Sequence, residues 1–300
     1  LAYDCSREAG AGYHWVYAVR VQQNGVFHSV ANLMENGDAN YLERLGLDPN
    51  GALYKLYNGF NTPGSTAIGV NVNAEKKTRK NEDNADLVAL YNGVTQSGQA
   101  LVNYVFDNID LPSSIAMLAG HVLANDEDCC HKNYYFYRDT EGTGEWRILP
   151  WDVDLSFGHM WTDPANGGNA YYDPRLFTTN AYSQTSLGIG GGNRFVDALF
   201  GNPAIYQMYL RRVRTITDEQ LQPPNTHPYL LKFENTVNTL AAQIAPDAAL
   251  DFAKWVVPNP AVYPPTQSLA QAVADLNVRY FPPRRLWIYN DLAARGYYIA

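Results

Sequence analysis

Hydrophobic and polar positions alternate along residues 13–35, YHWVYAVRVQQNGVFHSVANLME, on both sides of Asn24-Gly25. Alternation with period two places successive side chains on opposite faces of a strand, and Asn-Gly suits the left-handed turn of a tight hairpin. The stretch therefore predicts strand, turn, strand. A short helix is expected at 39–45, ended by Gly46, and a further strand at 51–57, GALYKLY. The Gly, Pro, Asn and Thr residues from Asn58 to Thr66 make a loop. The period then lengthens. Leu87, Leu90, Tyr91 and Val94 recur at i, i+3, i+4 and i+7 behind the polar start 81–86, which predicts a helix over 83–94. A second helix follows at 99–106. A third, 112–124, starts at Ser113 and Ser114 and carries Ile115, Leu118, Ala119, Val122 and Leu123 on one face.

Two strand patterns come next, 133–138 (NYYFYR) and 146–154 (WRILPWDVD), around the turn Asp139-Thr-Glu-Gly-Thr-Gly144, so the chain is expected to fold back as a hairpin. Residues 161–193 are polar and glycine-rich and include Gly188-Ile-Gly-Gly-Gly192. They predict a loop, either a lid over substrate or a flexible surface segment. The remainder is helical in pattern, at 195–200, 205–216, 229–244, 248–255, 269–280 and 283–295, with prolines at several boundaries. No internal repeat is visible. The fold class is α+β, mixed in the N-terminal half and α-rich in the C-terminal half.

Composition narrows the function. With 300 residues, 46% hydrophobic and 17% charged, the chain can bury a large core as one large domain or two lobes. A net charge of −8 argues against general nucleic-acid binding, because phosphate neutralisation needs clustered cations and the longest basic run is Lys76-Lys77-Thr78-Arg79-Lys80. No apolar run approaches the roughly 18 residues of a membrane span. The chain opens on Leu1 inside a helical pattern, so an N-terminally truncated domain is expected. Three cysteines, Cys5 and the pair Cys129-Cys130, give an odd count without CxxC spacing, a poor basis for a disulfide scaffold or a zinc site.

The candidate chemistry lies in residues 128–158, DCCHKNYYFYRDTEGTGEWRILPWDVDLSFG. A hairpin here brings Asp128 and Asn133 at its first end against Asp152 and Asp154 at its second. If the extended conformation lasts to 154, the two aspartates share one face. Carboxylates in an apolar setting pair, shift their pKa or bind a metal. An Asp and Asn oxygen set suits Mg²⁺ or Mn²⁺. Against this, loop residues such as Asn125 and Asp126 commonly cap helices or make turns. Asp152 has no following helix to cap, and a salt bridge to an arginine is its structural alternative.

The run His131-Lys-Asn-Tyr-Tyr-Phe-Tyr-Arg-Asp139, followed by Trp146-Arg-Ile-Leu-Pro-Trp-Asp-Val-Asp-Leu-Ser-Phe-Gly158, resembles the signature of the CotH (spore coat protein H) kinase family. Asn24-Gly-Val-Phe27, Leu33-Met-Glu35, Tyr41-Leu-Glu-Arg-Leu-Gly46, Gly51-Ala-Leu-Tyr-Lys55 and Tyr280-Phe-Pro-Pro-Arg-Arg285 extend the likeness in the same order. The resemblance implies one domain over 1–300 with an atypical protein-kinase-like two-lobe fold. A small antiparallel-sheet N-lobe would cover about 1–110, and a larger α-helical C-lobe with the 133–155 hairpin about 111–300. It further implies binding of ATP with Mg²⁺ or Mn²⁺, and phosphoryl transfer to a Ser/Thr hydroxyl of a coat or surface protein. The location implied is extracytoplasmic: secreted, cell surface or spore coat.

By the same resemblance Asp128 stands five residues before Asn133, as a kinase base stands before its metal-binding Asn. Asp152 occupies the place of the metal-binding Asp that follows, with Asp154 as second candidate. No GxGxxG loop or VAIK-like strand marks the phosphate-binding lysine, so Lys55 is the first choice and Lys76 or Lys77 the second. Glu35 is a possible partner for that lysine, or a solvated glutamate. His121 is expected to be packed, His131 to orient the site, and Cys129-Cys130 to fill space behind the loop. Two other classes stay open. One is a catalytically weak kinase-like surface module that binds through a tyrosine-rich face, given 22 tyrosines. The other is a hydrolase built on Asp152 and Asp154, disfavoured because an i, i+2 pair is too local to flank a scissile bond.

Overall fold

In the computed structural model, which describes residues 1–69, 72–126, 129–158, 192–256, 267–294 and 296, Asn24 and Gly25 both take positive φ, 53° and 77°. That is the backbone a two-residue hairpin turn of the primed type requires. It joins β1 (Val16–Gln23) to β2 (Val26–Met34) in an antiparallel ribbon whose register shifts between Val21 and Gln22. A two-stranded ribbon is marginal alone. This one is stapled to helix α8 (Lys232–Trp255). Lys254 Nζ donates to the Phe27 carbonyl at 3.0 Å and Trp255 Nε1 to the His28 carbonyl at 2.7 Å. Val30 N donates to Asp251 Oδ1 at 2.7 Å, and Arg20 pairs with Asp247.

The second sheet has four strands, β3 (Ala52–Leu56), β4 (Ala74–Lys76), β5 (Tyr134–Arg138) and β6 (Trp146–Pro150), in the order β4-β3-β5-β6 with every pair antiparallel. The 133–155 hairpin thus pairs with a strand from before residue 110, and the sheet takes strands from both sides of the expected lobe boundary. One face carries Tyr54, Leu56, Tyr134, Phe136, Trp146 and Ile148 into the main core. The other face carries Leu53, Tyr135, Tyr137 and Leu149 into a satellite cluster with Tyr41 and Leu42 of helix α2 (Ala39–Arg44).

Helices α1 (Ala2–Glu8), α3 (Ala85–Val94), α4 (Gly98–Asn108), α5 (Leu111–Ala124), α6 (Arg194–Phe200), α7 (Pro203–Ile216), α9 (Leu269–Asp275) and α10 (Phe281–Ala294) complete the architecture. The expected single apolar face of α5 is an underestimate. Residues 114–124 are all buried, because α1, α7 and β6 surround the helix. Asp110 caps it, accepting from Ser113 N at 3.0 Å while its other oxygen meets Arg147 at 2.8 Å.

Four expectations change. β4 ends where the basic run begins, and Ala-Glu-Lys has no strand signal of its own. The loop 58–66 contains a 3₁₀ turn, Pro63–Thr66. The helices expected at 229–244 and 248–255 are one helix with Pro246 inside it; the flanking Ala241, Ala242, Ala245, Ala248 and Ala249 favour helix strongly enough to carry the chain past the missing donor. Likewise α9 runs through a π-helical turn, Leu276–Tyr280, into α10. The wider turn lets Pro282 and Pro283 sit at the start of α10, where proline is tolerated. The glycine run 188–191 and most of the expected 161–193 loop lie outside the described residues. Among the described residues no helix is long and apolar enough to cross a membrane. Among the described residues seven of the 22 tyrosines, Tyr41, Tyr54, Tyr134, Tyr135, Tyr137, Tyr209 and Tyr280, are fully buried and serve packing, while Tyr17 and Tyr229 are exposed.

Candidate functional site

Tyr134 pairs with Pro150 at one end of the β5–β6 ladder, so Asn133 and Asp152 leave the sheet at the same mouth. The strand does not continue to Asp154. β6 stops at Pro150 and Asp152 has φ 54°, so the expected same-face pairing of Asp152 and Asp154 along a strand fails. Val153 between them is buried while both aspartates are exposed. Asn133, on the other side of the mouth, has φ 63°. Left-handed backbone at two non-glycine residues is tolerated best by Asn and Asp, and such strain persists where surrounding structure fixes it, often at functional sites. Asp128 lies outside the described residues, between Asp126 and Cys129. Cys129 and Cys130 are buried and joined as a vicinal disulfide.

Three aspartates from two segments, Asp126 after α5 and Asp152 and Asp154 after β6, act on the Tyr3 hydroxyl. Burial pushes the Tyr3 phenol well above its ordinary range; a hydrogen bond with the Asp152 backbone opposes this, and the charges of Asp152, Asp126 and Asp154 raise it further. Helix α1 therefore delivers a neutral hydroxyl among three acidic side chains. Asp126, expected to be an exposed capping residue, is instead 1% exposed, with Oδ2 at 2.6 Å from His121 Nδ1.

A cation cluster stands beside the mouth. Lys55 and Glu75 are cross-strand partners on β3 and β4. Lys55 Nζ lies 4.2 Å from the centroid of the Trp151 ring and 4.8 Å from that of Tyr57. Burial lowers the Lys55 pKa and Lys77 lowers it further, while Glu75 and Asp152 oppose. Burial alone would raise Glu75, but hydrogen bonds from Tyr57 and Lys77 outweigh it and hold the carboxylate below its ordinary value. The charge of Asp152 is thus felt at Lys55, whose ammonium lies against the ring of the neighbouring Trp151.

A family model described as CotH kinase protein matches residues 1–278. The chain belongs to the CotH kinase family. No curated protein matches it. Within this CotH kinase chain the candidate residues separate into two groups. Lys55, Asn133, Asp152 and Asp154 are grouped around one sheet end. Lys76 and Glu35 are not among them. Lys76, paired with Tyr54, faces the opposite side of the sheet, where its ammonium donates to the Asp83 carbonyl at 2.5 Å and meets Glu82 at 3.6 Å. Glu35 is held by Arg44, with Nε and Nη2 each at 2.6 Å, and Arg44 in turn lies over the rings of Tyr13, Trp15 and Tyr41. That bidentate pair engages both carboxylate oxygens of Glu35. Glu75 has the place beside the lysine that Glu35 was expected to take. The sequence held no signal for it, because the pairing depends on the unforeseen strand β4.

Among the described residues no group of three His, Cys, Asp or Glu side chains could hold a metal alone. That is compatible with a magnesium nucleotide, for which one or two protein carboxylates and the substrate phosphates share the coordination. Asn133, Asp152 and Asp154 supply hard oxygen donors of that type.

Proposed function

We propose that this CotH kinase chain transfers the γ-phosphoryl group of ATP to a Ser or Thr hydroxyl of a protein acceptor, in a cleft between a sheet-bearing lobe and a helical lobe. One observation carries the proposal: the hairpin register sets Asn133 and Asp152 at a single mouth, and Lys55 reaches that mouth from the neighbouring strand. Asn133, Asp152 and Asp154 would hold Mg²⁺ or Mn²⁺, which when bound neutralises charge on the transferring phosphates. Lys55, steadied by Trp151, Tyr57 and Glu75, binds a phosphate oxygen. Asp128 accepts the proton of the acceptor hydroxyl as its oxygen bonds to the γ-phosphorus; the bond to the bridging oxygen breaks and ADP leaves. The acceptor is a coat or surface protein, and the setting extracytoplasmic.

The test is incubation with ATP labelled on the γ-phosphate and Mg²⁺ or Mn²⁺, comparing wild type with Asp128→Ala and Asp152→Ala. Label on the chain or an added acceptor, lost in both variants, is the expected result. Nucleotide binding with no transfer would sink the catalytic proposal and leave a binding module.

A further inference from the structure

The β1–β2 ribbon has two outer edges, and one of them is open. Along β2, Val30 N donates to Asp251, and the carbonyls of Phe27 and His28 accept from Lys254 and Trp255. Along β1, among the described residues, no backbone group of Val16–Gln23 bonds to anything but β2. Antiparallel pairing alternates residues that exchange bonds across the ladder with residues whose N–H and C=O turn outward. Val30 turns its N–H out to Asp251, so its partner Arg20 also turns outward, and with it Ala18 and Val16 at period two. Glu35 N, donating to the Trp15 carbonyl, places the odd-numbered residues inward. The register shift lies beyond Arg20, between Val21 and Gln22, which leaves Val16–Arg20 a regular edge.

Natural edges of this kind carry proline, lysine or an inward charge that deters pairing. β1 has none of these. Its one charge, Arg20, is paired with Asp247, and the ribbon exposes Tyr17, Val26 and Leu33 at 57%, 68% and 61%. Charge points to the occupant. The chain has 30 acidic residues and a net charge of −8, yet no Asp or Glu lies between Tyr13 and Met34. Two copies of an acidic chain meet there without setting ribbon carboxylates against each other.

We propose that the outer edge of β1 is a self-association surface, where β1 of a second copy adds antiparallel and joins two ribbons into one sheet. With Ala18 opposite Ala18, Arg20 of each copy faces Val16 of the other, so no like charges stand directly opposite. The outer edges that remain are those of β2, already closed by α8, so assembly stops at two copies. The contact is small, so association follows concentration.

The test is sedimentation velocity of the whole chain from about 5 to about 500 µM, the range suited to a small interface, with amide hydrogen exchange at both ends of that range. The mass should rise from that of one copy toward that of two. The amides of Val16, Ala18 and Arg20 should exchange about 10-fold more slowly at the high concentration, while those of Tyr17 and Val19, bonded to β2, stay unchanged. Ala18→Pro strips one outward donor and spares the β2 ladder; Ala18→Lys keeps the donor and sets two cations at the joint. Each should hold the chain at the mass of one copy with Tyr17 and Val19 still protected. If Ala18→Pro unfolds the ribbon, Ala18→Lys decides. A single-copy mass throughout would overturn the proposal, as would dimers that persist in both variants. Slow exchange at Ala18 at every concentration would overturn it too, because the edge would then be covered within one copy.

Discussion

The two faces of the four-stranded sheet are built from alternate residues of the same strands, yet they serve different ends. On β3, Tyr54 is fully buried in the main core and bonds Asp86 at 2.5 Å, while Lys55, one residue later, is half-buried against Trp151 and Tyr57 beside Asp152. On β5, Phe136 meets Phe60, Trp146 and Phe195 edge-on or tilted, while Tyr135 faces His14, Tyr41 and Trp151. The core face packs into the main core with residues of the helices. The second face carries a small aromatic cluster, and the Lys55 cation stands against its edge at Trp151. Period-two alternation is what allows one strand to secure the fold with one residue and present a cation with the next.

The largest effect expected on the core face is that of Phe136→Ala, about 3–5 kcal/mol of stability, measured by urea unfolding. A much smaller loss would show that the two faces do not differ as described. Next comes His14, which stacks on Tyr41 at 4.2 Å and belongs to the cover of the second face. Burial lowers its pKa to about 4, against the opposing hydrogen bond to the Glu35 backbone. The unfolded chain therefore binds a proton that the folded chain refuses between pH 6.5 and about 4, and stability falls as pH drops through that window, by roughly 3 kcal/mol in all. His14→Phe should flatten this part of the pH-stability curve; an unaltered slope would assign it elsewhere.

Lys55→Met sharpens the contrast further. Transfer should fall about 100-fold, near 2.7 kcal/mol of transition-state stabilisation, with little change in the urea midpoint. If instead Lys55→Met unfolds the chain and spares transfer, the lysine is structural. The smallest effect expected is that of Glu35→Gln, about 1 kcal/mol of stability lost from the Arg44 pair with transfer unchanged. Loss of transfer in Glu35→Gln, but not in Glu75→Gln, would reverse the assignment of Lys55's partner.

Local signals in the sequence were reliable where the cause was local. Asn24-Gly25 forms the turn it predicts, and the Asp139–Gly144 turn returns the chain so that Asn133 and Asp152 share an end. What the sequence concealed depended on distant partners. β4 is a strand only because β3 offers it an edge, and Lys76 and Lys77 part company according to which face that pairing assigns them. Asp126 looked like a turn residue because nothing local says that His121, one turn back and on a helix buried all round, will meet its carboxylate. The end of β6 was misjudged for a related reason: Trp151 continues the apolar pattern, but the backbone turns left-handed at Asp152.

The staple between the β1–β2 ribbon and α8 bears on how the chain acquires its structure during synthesis. Its contacts join residues 221 to 227 positions apart. A growing chain makes the ribbon early, when it has no support, and must wait for Asp247, Asp251, Lys254 and Trp255 to emerge before that edge is closed. Until then the carbonyls of Phe27 and His28 and the amide of Val30 are an open strand edge, the stage at which a nascent chain is most exposed to pairing with the wrong neighbour.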